Sequence, residues 1–264
     1  MPNYTSRKSP RHSKVVLSSF DINYLRVLNP FMPLWWGLAL PGLGHIMVGK
    51  KFKGFLLFIF EIVVNSKTHL NLSIFYSCTG QFELAKACLD LRWFFIYIGV
   101  YIFSSWDAYR LSTDINQFSM LATREKAPIR TMKISPIEIN YLQKINPWLP
   151  AFWSFVTPGI GHLIIRNVIS GLYLLGWYIV TVYKSKLLEG IYYTSMGEFH
   201  QAISVMNIEW TLYLPSVLCF AVCDSYYHTI EINELFKQDQ ARFLEKNFFR
   251  DENKHYFLKS LEKV

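Results

Sequence analysis

Two histidines and two aspartates are the residues best suited to chemistry. His45 and His162 each follow a Pro-Gly-x-Gly break, Pro41, Gly42 and Gly44 in one case and Pro158, Gly159 and Gly161 in the other. Asp107 and Asp224 each close an apolar run and are followed two residues later by a tyrosine. An imidazole beside such a break can bond backbone groups that the helix has lost. It can also titrate, or bind a ligand in a polar cavity. The aspartates admit two roles as well. Each can cap or pair with Lys or Arg at a membrane surface, or contact the histidine of its own unit and favour its charged form. Glu61, inside "FLLFIFEIVVN", is the costliest residue to bury and for that reason a functional candidate.

Enzyme signatures are absent. The chain has no G-x-S-x-G, H-E-x-x-H, Walker or Rossmann glycine pattern, and the expectation is a non-enzymatic protein without cofactor. Cys219 and Cys223 share a helix face but lack further ligands, so no metal site is expected and the thiols are expected free and buried.

The elements that position these residues occur twice. A shift of 117 residues aligns Ser18–Asn116 with Ser135–Asn233 without a gap. "INYLRVLNPFMPLWW" meets "INYLQKINPWLPAFW", and "PGLGH" meets "PGIGH". Glu61 is the exception, because its counterpart is Tyr178. The implied organisation is a basic tail over 1–17, a repeat over 18–116, a polar linker over 117–134, a second repeat over 135–233 and a charged tail over 234–264. Each repeat should open on an amphipathic interfacial helix, "FDINYLRVLN" in the first, ended by Asn-Pro. Three hydrophobic segments follow, the first interrupted by the Pro-Gly break.

Composition sets the class. Hydrophobic residues make up 52%, aromatics 17% and charged residues only 17%, against about 25% charged in soluble domains. Six apolar windows (31–48, 52–64, 93–108, 148–165, 168–183 and 210–223) carry aromatics at their edges. The expected fold is all-α, a polytopic plasma-membrane protein of two tandem repeats, each with about three hydrophobic segments. The net charge of +8 sits mainly on the flanks, including Arg7, Lys8, Arg11 and Lys14. It suits anionic lipid head groups better than nucleic acid, for which no folded polar domain is visible. A membrane-protein partner or a homo-oligomer fits the same class.

If every segment crosses the bilayer, the repeats are inverted and Lys and Arg divide weakly between the two sides. If the first segment re-enters, the repeats are parallel and most basic residues fall on one side with both termini, the cytoplasm. The second split is the stronger. "PGLGHIMVGKKFKGFLLFI" resembles the bacterial TM2-like membrane proteins through Pro41, Gly42, Gly44, His45, Gly49, Lys53 and Gly54. The second copy keeps Pro158, Gly159, Gly161, His162 and Gly171 but has Arg166 and Ser170 in place of Gly49 and Lys53, so one longer helix from Gly161 to Tyr183 is an alternative there. The resemblance implies a small integral membrane protein whose first segment is drawn as spanning. Two functions follow from these observations. One is a scaffold that interacts with lipid or a partner. The other is a small-solute or ion transporter with its path between the repeats, near the bends.

Overall fold

The computed structural model describes residues 10–248, and it is mostly helical, at 71% helix. Arg7 and Lys8 lie outside the described residues, as does the end of the charged tail. The first half opens on an antiparallel hairpin, β1 (Val15–Leu17) and β2 (Ile22–Tyr24), with Val15 opposite Tyr24 and Leu17 opposite Ile22. Six helices follow: α1 (Phe31–Ala39), α2 (Leu43–Met47), α3 (Lys51–Thr68), α4 (Leu70–Cys78), α5 (Phe82–Cys88) and α6 (Leu91–Arg124).

The second half repeats this order with every element start displaced by 117 residues. It consists of β3 (Met132–Ile134), β4 (Ile139–Tyr141), α7 (Trp148–Val156), α8 (Ile160–Ile164), α9 (Val168–Ser185), α10 (Leu187–Ser195), α11 (Phe199–Val205), α12 (Ile208–Thr211) and α13 (Tyr213–Phe248). The counterpart of α6 is broken at Leu212 because Pro215 has no amide for the Thr211 carbonyl.

Three expectations are corrected. "FDINYLRVLN" is no helix: Ile22 and Tyr24 lie in a strand and Leu25 to Asn29 belong to no helix or strand. The alternation of Ile22, Asn23 and Tyr24 suits a half-buried strand, and Pro30 holds Asn29 out of the helical region. Helix α1 starts only there, where Asn29 Oδ1 accepts from the Phe31 amide at 3.1 Å. The boundaries shift as well. Val15–Leu17 belongs to the first folded unit rather than to a tail, α6 runs through Arg124 into the expected linker, and α13 continues to Phe248. Finally, the continuous helix from Gly161 to Tyr183 does not form, since Arg166 adopts φ +63°, where Gly49 has φ +86°. Arg166 is held there by a bond to the Tyr141 carbonyl (3.2 Å) and by stacking over the Tyr141 ring.

The Pro-Gly bends turn the chain back on itself. Helix α1 runs antiparallel along α6, with Phe31 against Tyr109 and the Tyr101 hydroxyl donating to the Leu38 carbonyl at 2.6 Å. At Gly42, φ +98°, the direction reverses and α2 returns toward Asp107. The first segment therefore enters and leaves at one end of the helices. A Cβ on Gly42 would lie 2.2 Å from the Gly54 carbonyl oxygen, and one on Gly159 would lie 2.3 Å from that of Gly171. These paired glycines let α2 and α8 cross the starts of α3 and α9 backbone to backbone.

The halves lie parallel. Lys51, at the start of α3, donates to Asn167, at the start of α9, at 2.7 Å. At the opposite end Asn71 donates to the Glu209 carbonyl at 2.9 Å. Between these ends a sealed core of Leu43, Met47, Phe58, Leu174, Val217 and Phe220 joins the halves.

No single helix among the described residues is long and apolar enough to cross a membrane. Three bent pairs have the length and composition together: α3 with α4 (64°), α5 with α6 (89°), and α11 with the α12–α13 run (87°). The first bend sits at His69, φ +53°, and Lys186 adopts the same φ in the second half.

Candidate functional site

The structure brings His45 to Asp107 and His162 to Asp224. The Nε2–Oδ2 distances are 2.9 and 3.1 Å, and all four side chains are buried. In each half the bend carries the histidine onto the face of the long helix that bears the aspartate. An ionised carboxylate only accepts, so the imidazole donates from Nε2. The Nδ1 atom of each ring has no partner among the described residues. A neutral ring with Nε2–H leaves Nδ1 as a bare acceptor, which costs less than a stranded charge.

The carboxylates differ in what neutralises them. Asp107 is served entirely by its own half. Lys53 reaches the same oxygen as His45, and Arg110 Nη2 donates to Oδ1 at 2.8 Å. Both cations are about half exposed and lie over aromatic rings, Lys53 over Phe103 and Arg110 over Trp106. Asp224 has no such neighbours, because the matching positions are Ser170 and Tyr227. Its cation comes from the other half. Arg26, buried, donates from Nη1 to Asp224 (2.9 Å) and to the Met47 carbonyl (2.7 Å), and from Nε to Glu231 (2.7 Å). Tyr24 donates to the same Glu231 oxygen at 2.7 Å.

Burial opposes the charge on Arg26, yet Glu231 and Asp224 outweigh it and hold the guanidinium above its ordinary pKa. His228, one turn beyond Asp224, is buried against Tyr24 with neither ring nitrogen partnered among the described residues. Burial, reinforced by Arg26, pushes its pKa well below the usual histidine value.

Glu61 stands apart from both pairs. Its Oε1 accepts from Asn65 (3.0 Å), which also donates to Asn71 (3.1 Å), tying α3 to α4 across the bend. Cys219 is exposed and Cys223 half-buried, both free, which corrects the expectation of burial. Cys219 faces outward from α13, whereas Cys223 packs against the core cluster that holds Phe220 and Ala221. Among the described residues no three His, Cys, Asp or Glu side chains gather to hold a metal ion.

Sequence reasoning missed Arg26, Lys53 and Arg110 as carboxylate partners, and two asparagines. Asn116 and Asn233 each bond both backbone groups of one residue ahead of the bend, Leu28 (3.0 and 2.7 Å) and Ile145 (2.9 and 2.7 Å). Their signal was present, since the aligned repeats end on this matched pair. Arg26 gave no such signal because its counterpart is Gln143. The arrangement can fix two helical hairpins and hold charge in a packed interior. None of four clefts on the described surface is lined by either histidine or either aspartate. No protein-family model, no curated protein and no solved structure matches the chain.

Proposed function

We propose that the chain is a non-enzymatic multi-pass protein of the plasma membrane, arisen by duplication of one helical unit, which serves as a lipid-anchored scaffold. Large apolar side chains lie exposed along α3, the first half of α6, α7 and α9, among them Leu56, Ile59, Phe95, Phe152 and Ile179. Soluble monomers seldom expose contiguous apolar patches beyond a few hundred Å². The 18 residues of α3 extend roughly 27 Å, close to the ~30 Å hydrocarbon core. The first segments then dip in and return on the basic side as re-entrant hairpins, tolerated because they pack against protein. Both described chain ends belong to that side, the cytoplasmic one by the Lys/Arg bias. The likeness of the bends to TM2-like proteins supports the same class.

One observation favours a scaffold over a transporter: both His–Asp pairs are locked by packing, and the interface between the halves is filled. Leu43, Phe58, Leu174 and Phe220, all buried, occupy the place where a conduction path would run. In proteoliposomes the protein is expected to stay in the bilayer after carbonate extraction and to pass no proton or small-ion current. His45→Gln and His162→Gln should lower thermal stability only. A current that His45→Gln abolishes would overturn the scaffold in favour of transport.

A further inference from the structure

The contact between the halves is head to tail. Trp36 of the first half meets Phe220 of the second, ring centroids 5.3 Å apart. A two-fold would create a twin contact between Phe103 and Trp153, and no such contact exists. Trp36 and Phe220 are 8% and 0% exposed, whereas Trp153 and Phe103 are 40% and 47% exposed. The hairpins repeat the difference. Leu17 is buried at 6% exposure on a cluster with Ile232 and Leu235, while its counterpart Ile134 is 72% exposed. Each half thus has a front, formed by the hairpin and the first tryptophan, and a back on its long helix. The first front is docked on the second back. Among the described residues, Trp153 and Ile134 of the second front and Phe103 of the first back stay exposed, while His12 packs on Phe118 farther along that back.

We propose that a second copy of this chain covers these exposed residues, the second half's front of one molecule docking on the first half's back of the next. The internal interface supplies the template, and three of its contacts have matching residues in the other two faces. Arg26, Lys51, Asn71 and Tyr173, in contrast, are replaced there by Gln143, Val168, Leu188 and Leu56. Trp153 matches Trp36, and Phe103 matches Phe220. Tyr141 would face Asp114 as Tyr24 faces Glu231 (2.7 Å). Asn23 would reach the Ser135 and Glu138 carbonyls, as Asn140 reaches those of Ser18 (3.0 Å) and Asp21 (3.3 Å). Asp107, already neutralised by Lys53 and Arg110, needs no arginine from a partner, and Gln143 stands where Arg26 would be. One pair opposes docking: Lys186 and Arg92 fall where His69 and Glu209 bond (3.2 Å).

A head-to-tail contact propagates to a ring when its rotation closes and to an open chain when it does not. The in-plane restriction that favours a ring rests on the membrane reading above. The docking itself does not.

The test is cross-linking with a short bis-maleimide, in a background with the four native cysteines replaced. Lys186→Cys and Arg92→Cys are both exposed, match the bonded His69 and Glu209, and leave the Trp153 and Phe103 rings that carry the docking in place. Chains carrying both should give oligomers of discrete size, and chains carrying either one alone should stay monomeric. Mixing the two single variants should give dimers and nothing larger. Adding Trp153→Ala to the double-cysteine chain should lower the oligomer yield several-fold. A double variant that stays monomeric would leave lipid as the cover and overturn the proposal. Dimers from a single variant would overturn it in favour of a two-fold contact. Carbonate extraction of the same samples reads membrane insertion separately, so loss of insertion with cross-linking intact would sink only the membrane reading.

Discussion

The two His–Asp pairs share a geometry and differ in their charge supply. His45–Asp107 draws its cations from its own half, at a rim open to water. His162–Asp224 draws a buried arginine from the other half. The two halves therefore share the same local bend while only the second carboxylate ties them together. The histidine contact is a property of the unit, and the Arg26 contact a property of the assembly. Position in the assembly decides which is needed, because the first half's carboxylate lies on the back where Phe103 stays exposed and the second half's lies inside.

The largest effect should come from breaking the assembly contact. Arg26→Gln, which installs the residue found at the matching position, strands Asp224 beside Glu231. Removing one partner of a buried ion pair costs about 3–5 kcal/mol, read as a lowered midpoint of chemical unfolding in detergent. An unchanged midpoint would mean that the two carboxylates are neutralised by other means.

The shared bend is tested next. Gly42→Ala and Gly159→Ala each force a side chain into positive φ and against a carbonyl oxygen. Each should cost about 2–4 kcal/mol, and nearly the same amount in both halves. A tolerated substitution in one half only would break the equivalence of the hairpins.

Lys53→Gln should cost less than about 1 kcal/mol, since Lys53 is half exposed and Arg110 still serves Asp107. The same unfolding measurement checks it, and a loss as large as that of Arg26→Gln would erase the contrast between rim and interior.

The smallest effect at neutral pH belongs to His228, whose counterpart is Leu111. Its folded pKa is depressed, first by burial. The unfolded chain therefore binds the proton more readily, so stability is full above about pH 6.5 and falls as pH drops below it. His228→Leu should flatten that part of the stability–pH curve. A slope that survives the substitution belongs to another group.

Much of this was legible in the chain. The Pro-Gly breaks and the 117-residue correspondence follow from residues that both halves keep, and the His–Asp contact is one of the two roles those residues admit. Arg26 was not legible, because a contact between halves needs no match within them. The hairpins were missed because Ile22, Tyr24 and Leu25 suit a short strand or a helix face equally, and only pairing with Val15–Leu17 decides. The left-handed Arg166 was hidden for a related reason. Sequence pattern disfavours that φ for arginine, and a bond to Tyr141 overrides the preference.

In the membrane reading proposed above, each first segment enters and leaves on one side of a bilayer while the halves run parallel. Single cysteines at Val27, Lys50, Lys144, Gln81 and Glu198, in a background without the native cysteines, test it with a membrane-impermeant maleimide. Val27, Lys50 and Lys144 are expected to label from one side and Gln81 and Glu198 from the other. Val27 and Lys50 labelling from opposite sides would make the first segment a span and contradict it.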